Sequence, residues 1–290
     1  MGRATAHHAK RAILYVVATP LGNLEDITLR ALRILKEVDL IAAEDTRHSR
    51  KLLTHFGIGT PLTSYYDQIE REKAPQLIEE LKKNKSIALI SDAGTPCIAD
   101  PGFRLVQAAV AAGVRVETIP GPSAVAAALS ISGLPTDRFA FEGFIPAKKG
   151  TRRNFFAAIA GEQRTLVMYE AARRLVDSLQ DLQDVLGDRD IVVARELTKM
   201  FEEVLRGPVS ELVATLRQRA GSKGVQGEVT LLVSGAEKGK PSLSPEELIA
   251  EIECRRREGT SLKEVARQLA DEHGLSRREV YQLGLKDGDR

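Results

Sequence analysis

The chain has 290 residues, of which 43% are hydrophobic and 28% charged, and its formal net charge is +2 at pH 7. This balance is typical of a globular protein of about two domains. It excludes a globally basic protein, so any contact with nucleic acid is expected from local patches. The two cysteines, Cys97 and Cys254, argue against a disulfide framework and favour a reducing, cytoplasmic location. No apolar run approaches the ~18 residues that a membrane span needs.

Strands and helices alternate in the first half of the chain, after a polar N-terminal segment, 1–12, that is predicted to be a disordered tail. Apolar runs predict strands at 13–18, 40–43, 87–90 and 114–119. Helical spacing predicts helices at 28–38, 70–83, 103–112 and from 123 onward. Strands separated by helices imply right-handed crossovers and a mostly parallel sheet. We therefore predict a first α/β domain at 13–134.

The pattern changes in the second half. Strands are predicted at 139–145, 165–169, 191–195, 203–206 and 229–233, with helices at 175–186 and from Pro208. The short break between the strands at 191–195 and 203–206 is typical of a hairpin, which predicts a mixed sheet. These elements form a predicted second α/β domain at 135–236.

A polar linker, 235–242, precedes a third predicted unit at 243–288. Capping boxes at Ser244 and Ser276 each predict the start of a helix. Between them Leu262, Val265 and Leu269 lie at helical spacing. Three short helices with a tight turn resemble a helix-turn-helix unit.

Loops rich in glycine, proline and acidic residues follow the strands of the first half. They are TPLGN at 19–23, EDTR at 44–47, SDAGTP at 91–96 and PGPSA at 120–124. Because the carboxyl ends of parallel strands share one edge of a sheet, these loops predict a small-molecule crevice there. No P-loop and no G-x-G-x-x-G after the first strand offers a phosphate cradle. The 5 histidines do not cluster with cysteines at metal-ligand spacing, so no metal site is expected.

These motifs, in this order, resemble those of the tetrapyrrole-methylase superfamily of S-adenosylmethionine-dependent methyltransferases. With FEGF at 141–144 and the segment 195–199, the chain is similar to the branch that methylates the 2′-hydroxyl of a cytidine ribose in the decoding centre of 16S rRNA. The resemblance implies two α/β domains with S-adenosylmethionine in the cleft between them, a 16S rRNA or small-subunit partner, and a homodimer. The chain departs from that branch at 66–69, 171–173 and Gln226, which puts polar substrate contacts in doubt.

The resemblance also implies which residues bind the cofactor. They are Pro20, Gly22, Asp92, Ala93, Gly94, Ser123, Ala124, Tyr169, Val229 and Thr230. Glycine and alanine allow the main chain to approach adenine closely.

Methyl transfer to a ribose hydroxyl requires in-line alignment, and a general base can remove the hydroxyl proton. Candidate catalytic residues are Glu44, Asp45, Arg47 and Lys199. Other carboxylates near strand ends, Asp92 and Asp100 among them, are equally consistent with salt bridges or loop caps, so the sequence does not identify the base. Candidate phosphate contacts are Lys148, Lys149, Arg152, Arg153, Arg173 and Arg195.

Two alternative functions remain open from the sequence. A methyltransferase of a tetrapyrrole precursor would use the same cofactor loops, but it predicts an apolar trough and no additional helical domain. A nucleic-acid-binding regulator that senses a small ligand predicts a strongly basic recognition helix. The segment 276–285 is only mildly basic.

Overall fold

The computed structural model describes residues 12–220, 226–236, 245–257, 259–273 and 275–286. The chain divides into two compact units, one of Met1–Ala158 and Thr165–Ser234, the other of Ile159–Arg164 and Gly235–Arg290. The predicted tail lies outside the described residues except for Ala12, as do most of the predicted linker and the capping residue Ser244.

The first sheet is formed by the first half of the chain. Its strands are β1 (Ile13–Val17), β2 (Leu40–Ala43), β3 (Leu62–Ser64), β4 (Ile87–Ile90) and β5 (Arg115–Ile119), in the order β3-β2-β4-β1-β5. Every pair of neighbours is parallel, as the alternating pattern predicted. The carboxyl ends of β1, β2, β4 and β5 therefore meet at one edge. The loops at 19–23, 44–47, 91–96 and 120–124, called the special loops below, follow the strands there.

Helices cover both faces of this sheet. They are α1 (Leu29–Glu37), α2 (Thr46–His55), α3 (Glu70–Lys82) and α4 (Phe103–Ala111), whereas α5 (Ala124–Ser132), which follows β5, packs against strands of the second half of the chain. On one face Leu35 and Leu53 pack around Ile41, and on the other Leu77 and Leu105 pack around Leu89. The apolar pattern did not predict α2, because this helix buries only Ser49 and Leu53.

The second sheet is mixed, as the hairpin pattern predicted. Its strands are β6 (Phe139–Phe144), β7 (Thr165–Ala171), β8 (Asp190–Arg195), β9 (Glu203–Pro208) and β10 (Glu228–Val233), in the order β6-β7-β10-β8-β9. Strands β6 and β7 are parallel and the other neighbours antiparallel. Pro208 ends β9 instead of beginning a helix, since an edge strand tolerates a residue that lacks an N–H group.

Helices of both halves pack against the second sheet or beside one another. Helices α6 (Lys149–Ala158), α7 (Leu175–Leu186) and α8 (Val209–Ala220) contact each other in that order. Val125 and Leu129 of α5 share a core with Leu232 of β10. This shared core connects the two sheets within one compact unit, and the domain boundary at 134 stays a prediction.

The C-terminal unit contains the three predicted helices, α9 (Pro245–Arg257), α10 (Leu262–His273) and α11 (Arg277–Lys286). Leu248, Ile252, Leu269 and Val280 form its core. Ser261 begins α10 by accepting a hydrogen bond from the N–H of Glu264 at 3.3 Å. A search of the described ranges for a helix that could span a bilayer found none.

Candidate active site

A cavity of about 340 Å³ lies between the loops of the two sheets. The predicted cofactor residues Ala93, Gly94, Ser123 and Ala124 line it from the first sheet. From the second sheet Tyr169, Val229 and Thr230 line it. The remaining predicted cofactor residues, Pro20, Gly22 and Asp92, are not among the residues that line the cavity, whereas Leu21, between the first two, does line it. The structure therefore brings most of the predicted set around one space.

The side of the cavity that the loops of the first sheet form, the first wall, is held by hydrogen bonds between those loops. The N–H of Thr19 donates to the carbonyl of Gly94 at 2.8 Å, and the N–H of Gly94 donates to the carbonyl of Thr19 at 2.9 Å. Thr95 Oγ1 donates to the carbonyl of Pro122 at 3.0 Å, which adds the third loop. Gly94 has a φ of +77°, where glycine is strongly favoured. Because its N–H is engaged with Thr19, Gly94 shapes the wall and donates no hydrogen bond to a ligand.

The side of the cavity that the second sheet forms, the second wall, is aromatic. The ring of Tyr169 meets the rings of Phe141 and Phe144 edge-on, at centroid distances of 5.0 and 5.2 Å. Burial, with a smaller contribution from Asp100, raises the pKa of Tyr169 to about 12, so its hydroxyl stays protonated at neutral pH. Phe144 also lines the cavity and is 57% exposed. Such a wall suits the stacking of a flat heterocycle.

Lys199 lies beside this space as an ion-paired ammonium. Its Nζ is 3.0 Å from Glu196 Oε1 and 3.0 Å from Glu228 Oε2. Burial acts to lower the pKa of Lys199, but the bonds to these two carboxylates outweigh it and raise the pKa above its ordinary value. The side chain crosses Gly22, where a Cβ would overlap its Cγ. A lysine held in this way is protonated and ill-suited to act as a base.

The EDTR motif, 44–47, does not line the cavity. Asp45 caps α2, because its Oδ1 accepts the N–H groups of Arg47 at 2.7 Å and of His48 at 3.4 Å. The backbone hydrogen bond from Arg47, followed by its side chain, lowers the pKa of Asp45. The side chain of Arg47 is 91% exposed and forms an ion pair with Asp45 at 3.4 Å. None of these three candidate catalytic residues lines the cavity.

Carboxylates nevertheless connect this motif to the cavity. Glu44 Oε2 accepts the N–H of Asp92 at 3.2 Å, and Asp92 Oδ1 accepts the N–H of Asp45 at 3.1 Å. Burial is the main cause that raises the pKa of both Glu44 and Asp92. Asp100 lines the cavity itself, and burial followed by the charge of Glu44 raises its pKa to about 7.

Sequence reasoning missed several residues of the wall. Leu197 and Phe144 line the cavity. In the sequence they were noted only as members of the segment 195–199 and of FEGF at 141–144. Thr95 lies within the SDAGTP loop and Ile98 just after it, and both line the cavity. Their position in the sequence was the one signal that could have predicted this.

The predicted phosphate contacts fall into three groups. Arg152 is wrong as a surface cation, because it is 5% exposed and its Nε donates to Asp181 Oδ2 at 2.8 Å. Arg153 and Arg195 are partly exposed and ion-paired, with Asp184 at 2.8 Å and Glu203 at 3.2 Å. Lys148, Lys149 and Arg173 are exposed. In this last group Lys149 lies 4.0 Å from Asp181, and among the described residues Lys148 and Arg173 form no ion pair.

No arrangement that could hold a metal ion was found in the described part of the chain, counting groups of at least three His, Cys, Asp or Glu side chains.

Comparison with known proteins gives a consistent set of relatives. The family model for tetrapyrrole (corrin/porphyrin) methylases matches residues 13–213. The ribosomal RNA small subunit methyltransferase I of Vibrio cholerae is 46% identical over 276 residues, which cover 95% of each chain. The protein of the same name from Haemophilus influenzae is 47% identical over 281 residues, covering 94% of this chain and 96% of that one.

Solved structures show the same fold at low sequence identity. The uroporphyrin-III-C-methyltransferase of Thermus thermophilus aligns with a TM-score of 0.55 at 20% identity, over 77% of this chain and 94% of that chain. A diphthine synthase aligns with a TM-score of 0.58 at 17% identity, over 77% and 89% of the two chains.

Proposed function

Since this chain belongs to the tetrapyrrole (corrin/porphyrin) methylase family, we propose that it transfers a methyl group from S-adenosylmethionine to the RNA of the small ribosomal subunit. Relatives named for that activity match it over nearly its full length, including the C-terminal helices. The acceptor that we propose is the 2′-hydroxyl of a cytidine ribose in the decoding centre of 16S rRNA. The homodimeric state and the cytoplasmic location suggested by the sequence stay predictions.

The observation that carries this proposal is the cavity where the loops of the first sheet face the aromatic wall of the second. Its volume falls within the range of about 300–1,000 Å³ common for small-molecule sites. Leu21, Tyr169 and Leu197 offer an apolar surface for adenine, and the carboxylate of Asp100 suits a ligand with positive charge. A Cβ at Gly94 would approach Leu21 Cδ2 to 3.2 Å, narrowing this space. The residues present therefore fit S-adenosylmethionine, which supplies a methyl group activated by its bond to a positively charged sulfur.

The contribution of the protein to such a reaction is mainly alignment. The paired hydrogen bonds between Thr19 and Gly94 fix the first wall, and the shared core of α5 and β10 fixes the second wall relative to it. A rigid cavity can hold the ribose oxygen in line with the methyl carbon, which removes much of the entropic cost of the transfer.

The exposed cations lie where RNA would have to approach. Lys148 and Lys149 follow β6, and Arg173 follows β7. These strands are parallel, so both segments leave the same edge of the second sheet, where Phe144 and Tyr169 line the cavity. We infer that these three cations contact phosphates next to the target nucleotide.

A tetrapyrrole acceptor has less support. The uroporphyrin-III-C-methyltransferase is too distant in sequence to indicate a shared substrate, whereas the rRNA methyltransferases match the C-terminal helices as well. A regulatory role has no observation in its favour beyond the helical unit.

The test uses S-adenosylmethionine with a labelled methyl group. It is offered in parallel with small ribosomal subunits and naked 16S rRNA from cells that lack this modification, and with uroporphyrinogen III. We expect label in 2′-O-methylcytidine after nuclease digestion and mass spectrometry. Label on a base would refute the ribose assignment. Label in the tetrapyrrole, or in none of the acceptors, would refute the RNA assignment.

A further inference from the structure

We propose that Phe201, with Met200 beside it, stacks on an unpaired base of the RNA close to the nucleotide that is methylated. This inference rests on the proposed function and names the residues that contact a base, where the cations contact phosphates. The two residues form the tip of the hairpin between β8 and β9, called the hairpin tip below. Met200 is 91% exposed and Phe201 is 70% exposed. Single exposed apolar residues are common, but an adjacent pair beside a cavity indicates a binding surface.

The segment that carries the hairpin tip, 196–202, is held in one shape although it contains no glycine. Glu196 and Thr198 have positive φ values of 52° and 66°, which residues other than glycine rarely adopt. The N–H of Thr198 donates to Glu202 Oε2 at 2.6 Å. Thr198 Oγ1 accepts the N–H of Asn23 at 3.1 Å, which ties the segment to the first special loop. A tip that is already ordered loses little conformational entropy when it binds.

The hairpin tip leaves the second sheet at the edge where the cavity lies. Glu228 at the start of β10 pairs with Ala171 at the end of β7, and Val229 pairs with Arg195 at the end of β8. The ends of β7 and β8 and the start of β10 therefore form one row across the sheet. Glu228 and Val229 line the cavity, as does Leu197 within the segment that carries the tip. The tip thus stands beside the cavity.

The cations that we propose to contact phosphates leave the same edge on the side of β7. Arg173 follows β7, and Lys148 and Lys149 follow the neighbouring strand β6. Strand β10 lies between β7 and β8, and at about 4.8 Å between neighbouring strands these two are roughly 10 Å apart. At about 3.4 Å per nucleotide, roughly three stacked nucleotides cover that distance. A strand of RNA held at these cations therefore reaches the hairpin tip after it crosses the cavity.

The hairpin tip suits a base better than a phosphate. Neither of its side chains is charged, and the charges around it are paired within the protein. Lys199 bridges Glu196 and Glu228 at 3.0 Å each, and Glu203 pairs with Arg219 at 2.7 Å. A phosphate would meet these paired charges, whereas every base has a flat face on which an aromatic ring can stack. Proteins recognise single-stranded RNA largely through such unstacked bases.

The main test compares three substitutions of one residue. Phe201→Ala removes the ring, Phe201→Leu keeps apolar bulk without a flat face, and Phe201→Tyr keeps the ring. With saturating labelled S-adenosylmethionine, we expect the first two to need about 5- to 140-fold more small ribosomal subunits for the half-maximal rate, the loss expected for one stacked base. Phe201→Tyr should stay near wild type. The rate at saturating subunits should be unchanged in all three, because the tip touches no reacting atom.

Two controls accompany these variants. Calorimetry should give an unchanged affinity for S-adenosylmethionine, which also shows that each variant is folded. Phe139 provides the matched position, because it is 43% exposed and begins β6, at the edge of the second sheet opposite the hairpin tip. We expect Phe139→Ala to need no more subunits than wild type.

A direct readout of stacking is available because the chain contains no tryptophan. Phe201→Trp and Phe139→Trp each carry a single fluorescent indole, and stacking on a base quenches its emission. We expect naked 16S rRNA to quench Phe201→Trp and to leave Phe139→Trp bright, with filter binding of the same solutions showing that the RNA is bound. Undiminished emission from Phe201→Trp in the bound complex would overturn the inference.

The outcomes separate this inference from the proposed function. If the wild type methylates no RNA, the proposed function fails, and the quenching of Phe201→Trp by bound RNA still decides whether the tip stacks. If the wild type is active and Phe201→Ala needs no more subunits than wild type, the tip does not hold the RNA. If Phe201→Ala turns a dimer into a monomer in sedimentation without RNA, the tip contacts a second copy of the chain, and the inference is again overturned.

Discussion

Gly94 and Gly113 share a backbone conformation but differ in surroundings. Their φ values are +77° and +70°, and only Gly94 lies at the cavity, whereas no atom lies within 4 Å of a Cβ at Gly113. An L-residue in this region costs about 1–2 kcal/mol. We expect Gly94→Ala and Gly113→Ala to lower the free energy of unfolding, measured in urea, by similar amounts. Only Gly94→Ala should weaken binding of S-adenosylmethionine in calorimetry, because its Cβ points at Leu21. Equal affinities would place the cofactor elsewhere.

Asp100 also predicts how stability depends on pH. Its pKa rises from the ordinary 3.8 to about 7 on folding. Between these values the folded protein holds a proton that the unfolded chain has released, so stability falls as pH rises through this window. We expect Asp100→Asn to be as stable as wild type at about pH 3, below the ordinary pKa of the aspartate, and more stable at about pH 8, as measured by urea unfolding. A gap of the same size at both pH values would contradict the raised pKa.

Among the elements, α6 and α7 depend on a buried ion pair. Arg152 of α6 and Asp181 of α7 have side chains that are 6% and 4% exposed, and their charges meet at hydrogen-bond distance. Removing Arg152 leaves the buried carboxylate of Asp181 without its closest cation, and only the partly exposed Arg153 at 3.3 Å and Lys149 at 4.0 Å remain near it. We expect Arg152→Ala to lower the free energy of unfolding by about 3–5 kcal/mol.

Lys149 provides the matched control on the same helix. Its side chain is 75% exposed, and its Nζ lies 4.0 Å from the same aspartate. We expect Lys149→Ala to change stability by no more than about 0.5 kcal/mol. If Arg152→Ala were equally mild, water or a neighbouring cation would be compensating Asp181.

The contrast between these two residues shows what the sequence could predict. The special loops were predicted to meet because parallel strands bring their carboxyl ends to one edge, a rule that needs only the order of strands and helices. The pattern could not reveal that Arg152 is buried, since its partner lies 29 residues away on another helix. Lys199 crossing Gly22 is likewise a contact between the two halves of the chain, and no local pattern encodes it.

The whole molecule carries a net charge of only +2, so its affinity for RNA must depend on where the cations lie. Lys148, Lys149 and Arg173 leave the edge of the second sheet next to the cavity. Each phosphate contact releases a counterion and steepens the dependence of affinity on salt. We expect the triple alanine variant of these cations to bind small ribosomal subunits more weakly and to reduce the slope of log affinity against log salt by about 2.

The control removes the same charge from another part of the surface. Lys36, Lys82 and Lys83 lie at or just after the carboxyl ends of α1 and α3. Helices that connect parallel strands run antiparallel to them, so these lysines lie at the edge of the sheet opposite the special loops. Filter binding over a range of salt concentrations should leave this second triple alanine variant close to wild type. An equal loss in both variants would mean that RNA responds to total charge, and that the cations beside the cavity do not orient the target nucleotide.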